Sequence, residues 1–202
     1  MEGESKYKDI ACIIFAGGKS SRMGRDKALL PFGVCDSLAE FQWKKFKPYF
    51  KNIHISTKNK NKFKFSADFI EDLPFYNKEN HDELIYSPAI AIYSVFKKQK
   101  YNKIFTISVD TPFFNIEHFQ KLYEADNNAL DIIMSRNKAG LHPLCCIYKS
   151  SCQDELLKMM EQDVHKLRIL TKNLSTKYID FEDEKAFLNI NYKEDYDKAL
   201  RI

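Results

Sequence analysis

An apolar run that ends in two glycines constrains the fold of this 202-residue chain more than any other feature of its sequence. Residues 10–15 read IACIIF, and their small number and β-branched side chains predict a buried strand of a parallel sheet. Directly after this run, residues 16–18 read AGG. In open α/β sheets ligands bind at the edge where the strands end, so this turn is a candidate ligand site.

The residues of the turn indicate which kind of ligand it would hold. Adjacent Gly17 and Gly18 allow a tight turn with bare N–H groups, and the cations Arg22, Arg25 and Lys27 follow closely. Bare N–H groups and cations together suit a polyphosphate. The alternative is an ordinary strand-to-helix turn with solvated basic side chains. Glycine, arginine and lysine in this order after a strand favour phosphate binding.

Apolar runs alternate with amphipathic stretches along the chain, which predicts an α/β fold with a doubly wound, mostly parallel sheet. No repeat, low-complexity tract or linker is evident, so we expect a single domain over 1–202, with a flexible segment at 1–8. Four of the expected helices have suitable starting residues, at Asp36 or Ser37, Ser87, Asn115 and Ser151. The expected strands are 10–15, 52–56, 67–71, 103–109, 130–134, 143–148 and 176–180, and the expected helices are 37–47, 88–99, 115–125, 151–161, 164–171 and 193–201.

Composition and charge argue against several classes of protein. A net charge of +4 is too small to indicate a nucleic-acid or membrane-surface partner. No apolar stretch approaches the ~18 residues that a membrane span requires, and the polar start does not resemble a signal peptide. Five cysteines with no C-x-x-C pair fit packing residues in a reducing compartment. We therefore expect a soluble, cytoplasmic protein without nucleic-acid or membrane partners, and a monomer.

Two further groups of residues have structural rather than functional interpretations. The densest basic run, KNKNKFK at 58–64, lacks arginines and stacking aromatics, so we expect a solvated loop between two strands. The histidines are dispersed and match no catalytic or metal-binding pattern. His54 is expected to pack in a strand, His142 to lie in a turn, and Trp43 to pack in the core from a helix.

A carboxylate ends another expected strand. The sequence IFTISVDTPFF at 104–114 places Asp110 at the strand's C-terminal tip, toward the same edge as the glycine turn. Mg²⁺ takes hard oxygen ligands and is usually held by one or two carboxylates plus substrate phosphates. Asp110 could instead only cap the turn that follows. Its combination with the glycine turn favours the metal role.

A second strand-end acid is Asp72, which closes the segment ADFIED. A carboxylate there can accept hydrogen bonds from the N1–H and N2–H₂ groups of guanine or from ribose hydroxyls. Glu71 would point to the opposite face of the strand. A solvated strand-end acid is the alternative for Asp72.

At this point the sequence resembles a known family, the nucleotidyltransferases that attach a nucleotide to molybdopterin, specifically the molybdenum cofactor guanylyltransferases. The resemblance starts at AGGKSSRMGRDK and continues in order over nearly the whole chain. The later similar segments are FIED at 69–72, SPAIAI at 87–92, SVDTPFF at 108–114, LHPL at 141–144 and LNINYKEDYDKAL at 188–200.

The resemblance implies a Rossmann-like fold of the nucleotidyltransferase type, with Mg²⁺ as cofactor and with GTP and molybdenum-molybdopterin as substrates. It also makes maturation proteins of molybdoenzymes candidate partners. By position it implies that Asp110 binds Mg²⁺, that Asp72 contacts the nucleoside, and that Arg22 and Lys27 bind the phosphates. The implied nucleotide-binding turn is Phe15, Ala16, Gly17 and Gly18, and the implied pterin-side residues are Asn189 and Asn191.

Three departures and three alternative functions accompany this resemblance. Phe15 replaces a usual leucine, SPAIAI replaces a Gly-Pro-Leu-Ala-Gly helix start, and a usual strand-end asparagine appears as Ser56 or Thr57. A cytidylyltransferase that acts on the same pterin is the nearest alternative function. Sugar-nucleotide synthesis and a non-catalytic GTP-binding partner of cofactor delivery are further alternatives. Gly17, where the cytidine enzymes tend to have alanine, favours GTP.

Overall fold

Seven strands form one mixed sheet in the computed structural model, which describes residues 5–18, 23–76 and 83–202. The order of the strands across the sheet is β3-β2-β1-β4-β6-β5-β7. Every expected strand is present, with ends shifted by up to three residues. The strands are β1 Ala11–Phe15, β2 Ile53–Thr57, β3 Phe69–Glu71, β4 Lys103–Ser108, β5 Ile132–Asn137, β6 Gly140–Lys149 and β7 Thr176–Asp180.

The parallel half of the sheet, β3-β2-β1-β4, brings the expected site segments to one edge. Phe15 at the end of β1 pairs with Ser56 of β2 and with Ser108 of β4. Glu71 at the end of β3 pairs with Thr57. Because parallel strands end at the same edge, the glycine turn and the residues after β2, β3 and β4 lie side by side.

The other half of the sheet departs from a purely parallel arrangement. β6 is antiparallel to both β4 and β5, and it forms a hairpin with β5 that the sequence analysis does not predict. The hairpin register shifts after Met134, and Pro143 lies where the ladder is interrupted, as expected for a residue without an N–H group. Four of the six strand pairs are parallel, so the sheet is mostly parallel, as predicted.

The α-helices begin close to the positions that the capping residues predict. Ser37, Ser87 and Asn115 each accept a hydrogen bond from a backbone N–H of the first helical turn. Ser151 does not cap a helix, because a 3-10 turn precedes α4. The expected helix 164–171 is also wrong, and the chain forms a 3-10 helix at Leu167–Lys172. The α-helices are α1 Leu38–Phe46, α2 Pro88–Gln99, α3 Ile116–Glu124, α4 Gln153–Glu161 and α5 Lys193–Ala199.

The core fills both faces of the sheet. One face packs against α1, α3 and α5, and the other against α2 and α4. Trp43 borders the first face, as predicted, and all five cysteines are buried and unpaired. Tyr7 is also buried, although it lies within the first eight residues, where a flexible segment is expected. In the part of the chain that the structure describes, no helix combines the length and apolar character of a membrane span.

Phe105 of β4 lies at the centre of an aromatic cluster on the first face. Its ring centroid lies 4.7 Å from that of Phe119, 5.7 Å from Phe46, 5.9 Å from Phe114 and 6.0 Å from Phe50. Phe105 is fully buried. It therefore joins the strand that leads to Asp110 with two helices of this face, α1 and α3.

Replacing Phe105 by alanine is expected to lower the free energy of unfolding by about 3–5 kcal/mol, because a large cavity would remain among the four neighbouring rings. Denaturant unfolding followed by circular dichroism measures the loss. Val34→Ala is the control, since Val34 is fully exposed and its truncation should change stability by less than about 0.5 kcal/mol. Equal midpoints for the two variants would contradict the assignment of Phe105 to the core.

Candidate active site

A cavity of about 370 Å³ lies at the edge where the parallel strands end. It contains most of the residues that the sequence analysis predicts for the site. The cavity also includes Ser56, Ser108 and Leu144. Arg22 lies outside the described residues. The predicted residues that line the cavity are Phe15, Ala16, Gly17, Gly18, Lys27, Asp72 and Asp110.

A partly buried ion pair occupies one end of the cavity. The Lys27 Nζ atom lies 2.6 Å from Asp110 Oδ2 and also donates to Asn191 Oδ1, at 3.0 Å. The second carboxylate oxygen of Asp110 accepts from Ser108 Oγ at 2.6 Å. The side chains of Lys27 and Asp110 are only 15% and 18% exposed, so water screens their attraction weakly. This end therefore combines a fixed cation with a fixed carboxylate.

The C-terminal asparagines approach the site from the segment before α5. The Ile190 N–H donates to the backbone oxygen of Asp110 at 2.9 Å, and Thr111 Oγ1 donates to Asn189 Oδ1 at 3.0 Å. Together with the bond from Lys27 to Asn191, these contacts attach the segment 189–191 to the loop after β4. Neither asparagine is among the residues that line the cavity. Their implied role on the pterin side stays a prediction.

Two side chains of helix α1 hold the loop that carries Asp110. Gln42 Nε2 donates to the backbone oxygens of Ser108, at 3.1 Å, and Thr111, at 2.9 Å. Lys45 Nζ donates to the oxygens of Pro112 and Phe114, both at 2.8 Å. Burial of Lys45 lowers its pKa to about 7. Four carbonyls of one loop therefore have their donors on a single helix.

Asp72 lies at the other end of the cavity. Its Oδ1 atom accepts from Ser56 Oγ at 3.2 Å. Burial raises the pKa of Asp72 to about 6, although the bond from Ser56 and the charges of Lys58 and Lys98 act in the opposite direction. Ser56 lines the cavity, whereas Thr57 does not and donates to the oxygen of Asn59. Of the two candidates for the family's strand-end asparagine, Ser56 is therefore the one next to the site.

The backbone conformation at the two glycines of the turn is open to other residues. Neither Gly17 nor Gly18 has a positive φ, so the backbone does not require glycine at either position. A Cβ atom at Gly17 would lie 3.7 Å from Lys58 Cγ and 3.9 Å from Asp72 Oδ2, which are ordinary contacts. The left-handed conformations that glycine allows are therefore not what these two positions use. A side chain at Gly17 would take space from the cavity without disturbing the protein around it.

The basic run 58–64 is more than a solvated loop. Lys58 lines the cavity, with its Nζ atom 3.9 Å from the centre of the Tyr86 ring. Lys62 donates to the oxygen of Ala16 and to Asp26. The sequence contains a signal for this proximity, because the run directly follows β2, the parallel neighbour of β1. The expectation of a purely solvated loop is wrong at Lys58 and Lys62.

Segments from the second half of the chain complete the cavity wall. Ser87, Pro88 and Ala91 line the cavity from the start of α2, and Leu144 lines it from β6. Of the four histidines in the described ranges, at 54, 118, 142 and 165, none lines the cavity. His142 instead stacks on Phe187, with ring centroids 4.2 Å apart. The site therefore lacks a histidine base within the described part of the chain.

A cavity at the strand ends of an α/β sheet, with a glycine turn and a lysine–aspartate pair, defines a nucleotide-binding protein of the Rossmann-like class. The family model described as the MobA-like NTP transferase domain matches residues 12–177, and the chain belongs to this family of nucleotidyltransferases. The match confirms the resemblance inferred from the glycine turn and the strand-end acids.

Two curated relatives carry the same name over nearly their full length. The chain is 35% identical over 193 residues to a molybdenum cofactor guanylyltransferase from Campylobacter jejuni strain 81116, covering 96% of each protein. It is 30% identical over 199 residues to a molybdenum cofactor guanylyltransferase from Helicobacter pylori strain 26695, covering 96% of this chain and 93% of that protein.

Solved structures share the fold at lower identity. The molybdopterin-guanine dinucleotide biosynthesis protein A from Archaeoglobus fulgidus superposes with a TM-score of 0.78 at 20% identity, covering 95% of this chain and 97% of that one. The 2-C-methyl-D-erythritol 4-phosphate cytidylyltransferase from Thermus thermophilus gives a TM-score of 0.69 at 11% identity, covering 96% and 98%. These likenesses confirm the predicted α/β nucleotidyltransferase fold.

Replacing Gln42 by methionine, which has a similar volume, is expected to lower the free energy of unfolding by about 2 kcal/mol. The reason is that the oxygen of Thr111 would lose its buried donor and the oxygen of Ser108, which also accepts from Thr111 N, would lose one of two donors. Denaturant unfolding measures the effect. Lys44→Met is the matched control on α1, because Lys44 is exposed and forms a surface ion pair with Glu40 one turn away, so its loss should change little. Equal stability of both variants would contradict the bracing role of Gln42.

Replacing Asp72 by asparagine is expected to change stability in a pH-dependent way. The folded protein holds the proton of Asp72 more tightly than the unfolded chain does, so Asp72 favours folding below pH 4 and loses that contribution as the pH rises through about 6. Asparagine avoids the buried charge. Relative to wild type, the variant should therefore gain about 3 kcal/mol between pH 4 and pH 8. Thermal or denaturant unfolding across this range tests the sign, and a gain at low pH instead would contradict it.

Proposed function

We propose that this protein transfers GMP from GTP to molybdenum-bearing molybdopterin, forming the guanine dinucleotide cofactor and pyrophosphate. The observation that carries the proposal is the arrangement of one cavity with two chemically different ends. Lys27 and Asp110 lie at one end, and Ser56 and Asp72 at the other. The family, and the name that its Campylobacter and Helicobacter relatives carry, support this choice of reaction.

The reaction joins two phosphates. A terminal phosphate oxygen of molybdopterin attacks the α-phosphorus of GTP, a new P–O bond forms, and the bond to the β-phosphate oxygen breaks. The bonding electrons leave with pyrophosphate. Such a transfer depends mainly on positioning and on neutralising charge. We propose that Lys27 and the backbone at Gly17 and Gly18 position the phosphates and neutralise their charge. Arg22 is proposed to assist at the phosphates.

The proposed reaction needs no protein base. The attacking phosphate monoester has a second pKa of about 6, so it is largely ionised near neutral pH. The absence of histidines from the described cavity wall is therefore compatible with catalysis.

The residues of the phosphate end fit a magnesium ion. No group of three His, Cys, Asp or Glu side chains suited to a metal exists among residues 5–18, 23–76 and 83–202. Mg²⁺, however, is commonly held by only one or two carboxylates together with substrate phosphates, and Asp110 supplies a carboxylate at the cavity. We propose Asp110 as the protein ligand of Mg²⁺. When bound, Mg²⁺ would supply positive charge that offsets the charge of the phosphates.

The nucleoside end is proposed to favour guanine. Asp72 can accept hydrogen bonds from guanine N1–H and N2–H₂ or from ribose hydroxyls, and Ser56 lies beside it. Gly17 leaves space next to Asp72 for the larger purine. Transfer of CMP from CTP to the same pterin is the second candidate. The names of the curated relatives do not favour it, and the likeness to a cytidylyltransferase at 11% identity shows only a shared fold.

We further propose where the enzyme acts, its oligomeric state and which proteins use its product. The enzyme would act in the cytoplasm as a monomer, and Asn189 and Asn191 would lie on the pterin side. Proteins that mature molybdoenzymes would receive the product. A purely GTP-binding role in cofactor delivery is disfavoured, because both Lys27 and Asp110 are present and lie within hydrogen-bonding distance of each other.

One assay separates these functions. The purified protein is incubated with Mg²⁺ and molybdenum-loaded molybdopterin, with GTP and CTP offered separately, and released pyrophosphate is measured. We expect pyrophosphate with GTP at a much higher rate than with CTP. Faster release with CTP would replace the proposed function with the second candidate, and binding of GTP without release would indicate the non-catalytic role.

Two substitutions at the phosphate end test the mechanism. Asp110→Asn is expected to abolish Mg²⁺-dependent pyrophosphate release without unfolding the protein. Lys27→Ala is expected to lower kcat by about 10²–10³, the usual cost of losing one donor that stabilises transition-state charge. Asp180→Asn is the control for removing a carboxylate, because Asp180 is exposed, pairs with Arg136 and does not line the cavity. Full activity in Asp110→Asn would overturn the mechanism, provided that thermal unfolding shows the variant to be folded.

A further inference from the structure

Lys62 joins the two ends of the loop that carries the glycines. Its Nζ atom donates to the backbone oxygen of Ala16, at 2.9 Å, and to Asp26 Oδ2, at 2.6 Å. The Lys62 side chain is 19% exposed and that of Asp26 is 32% exposed, so the pair is partly shielded from water. The ammonium also lies 4.9 Å from the centre of the Phe63 ring. Of the contacted residues, Ala16 and Asp26 line the cavity.

The position of Lys62 follows from the pairing of two strands. Phe15 of β1 pairs with Ser56 of β2, so the segment after β2 runs beside the glycine turn. In that segment a 3-10 turn spans Lys60–Lys62, and the Asn59 side chain caps it by accepting from Asn61 N. The cap fixes the direction in which the turn leaves the strand. Lys62 therefore occupies a defined position.

We propose that Lys62 is a positioning residue for the phosphate end of the nucleotide site. This inference rests on the proposed function, because it assumes that phosphates bind between the glycine turn and Lys27. Lys62 does not line the cavity. It would act through the two groups that it contacts, Ala16 and Asp26.

The first effect of Lys62 is electrostatic. The carbonyl oxygen of Ala16 and the carboxylate of Asp26 both carry negative charge at the cavity wall, and both would repel phosphate oxygens. The ammonium group of Lys62 bonds to both groups and offsets their charge. Without it, a polyphosphate would bind next to an unpaired carboxylate.

The second effect is geometric. The other oxygen of Asp26, Oδ1, accepts from Ala28 N and so starts the 3-10 turn that contains Lys27. Because Lys62 holds Asp26, it also fixes the beginning of this turn. The Lys27 side chain extends from the turn to Asp110. Lys62 is thereby connected to the proposed catalytic pair through one hydrogen-bonded residue.

The experiment compares variants of Lys62 with a matched variant on the same turn. Lys62→Met removes the charge, Lys62→Arg keeps it, and Lys60→Met removes an exposed charge two residues away. Binding to GTP, inorganic triphosphate and guanosine is measured by calorimetry or by competition. Thermal unfolding of each variant establishes that it is folded.

We expect Lys62→Met to bind GTP and inorganic triphosphate about ten-fold more weakly, the effect of losing one charge-assisted hydrogen bond. Its affinity for guanosine should be unchanged, because Asp72 and Ser56 form the other end of the cavity. Lys62→Arg should restore most of the lost affinity, and Lys60→Met should bind all three ligands as wild type does. A purely structural ion pair would lower thermal stability without this dependence on phosphate.

A double-mutant cycle with Asp26→Asn tests the connection through Asp26. If Lys62 acts through this carboxylate, the loss of triphosphate affinity in the double variant should be smaller than the sum of the single losses. Additive losses would contradict the connection. Equal weakening of guanosine and triphosphate, or unchanged triphosphate affinity in Lys62→Met, would overturn the proposal.

Failure of the proposed function gives a different result. A wild-type protein that binds inorganic triphosphate but not GTP would contradict the choice of nucleotide, while the comparison of Lys62 variants on triphosphate would still apply. A wild-type protein that binds GTP and guanosine equally, and no triphosphate, would place the phosphates elsewhere and overturn the role of Lys62.

Discussion

The ion pair between Lys27 and Asp110 is the interaction on which the arrangement of this site depends. Three separate parts of the chain meet there: the turn after the glycine segment, the loop after β4, and the segment before α5 that supplies Asn191. A charge that is partly withdrawn from water is stable only when it is paired and hydrogen bonded. Each of the two groups therefore restricts where the other can lie. The remaining contacts of the site, from Ser108 and Ile190 to Asp110, complete this restriction.

The pairing of parallel strands brings these parts of the chain together. The register at Phe15 places the ends of β1, β2 and β4 side by side, and β3 adds Asp72 at the same edge. Helix α1 then holds the loop of Asp110 through Gln42 and Lys45, and the turn after β2 holds the glycine segment through Lys62. Side chains thus attach the loops of the cavity to helices and turns of defined structure. These attachments fix the positions of the site residues that the loops carry.

The sequence predicts the parts of this structure that depend on local patterns. The alternation of apolar and amphipathic stretches predicts all seven strands, and Asp72 and Asp110 are predicted as site residues because each follows the apolar residues of a strand. The antiparallel β5–β6 hairpin was not predicted, since a short apolar run carries no information about the direction of its neighbour. The roles of Lys58 and Lys62 were missed for a related reason: a lysine in a basic run has no pattern that identifies its partner. Gly17 and Gly18 line the cavity as predicted, although neither uses a left-handed conformation.

Under the proposed function, one end of the cavity would distinguish the bases. The phosphate end would act in the same way on every nucleotide. At the proposed nucleoside end, burial of Asp72 disfavours its charged form, and a ligand that donates hydrogen bonds to the carboxylate would offset that cost. Guanine offers the adjacent donors N1–H and N2–H₂, whereas cytosine offers one amino donor beside the ring acceptor N3. A carboxylate that faces the base would therefore attract the edge of guanine and repel part of the edge of cytosine. Because Ser56 already occupies Asp72 Oδ1 as a donor, the oxygen nearest to Gly17, Oδ2, is the one that the base would reach. The lack of a side chain at Gly17 and the acceptor at Asp72 would thus act on the same group of the nucleotide.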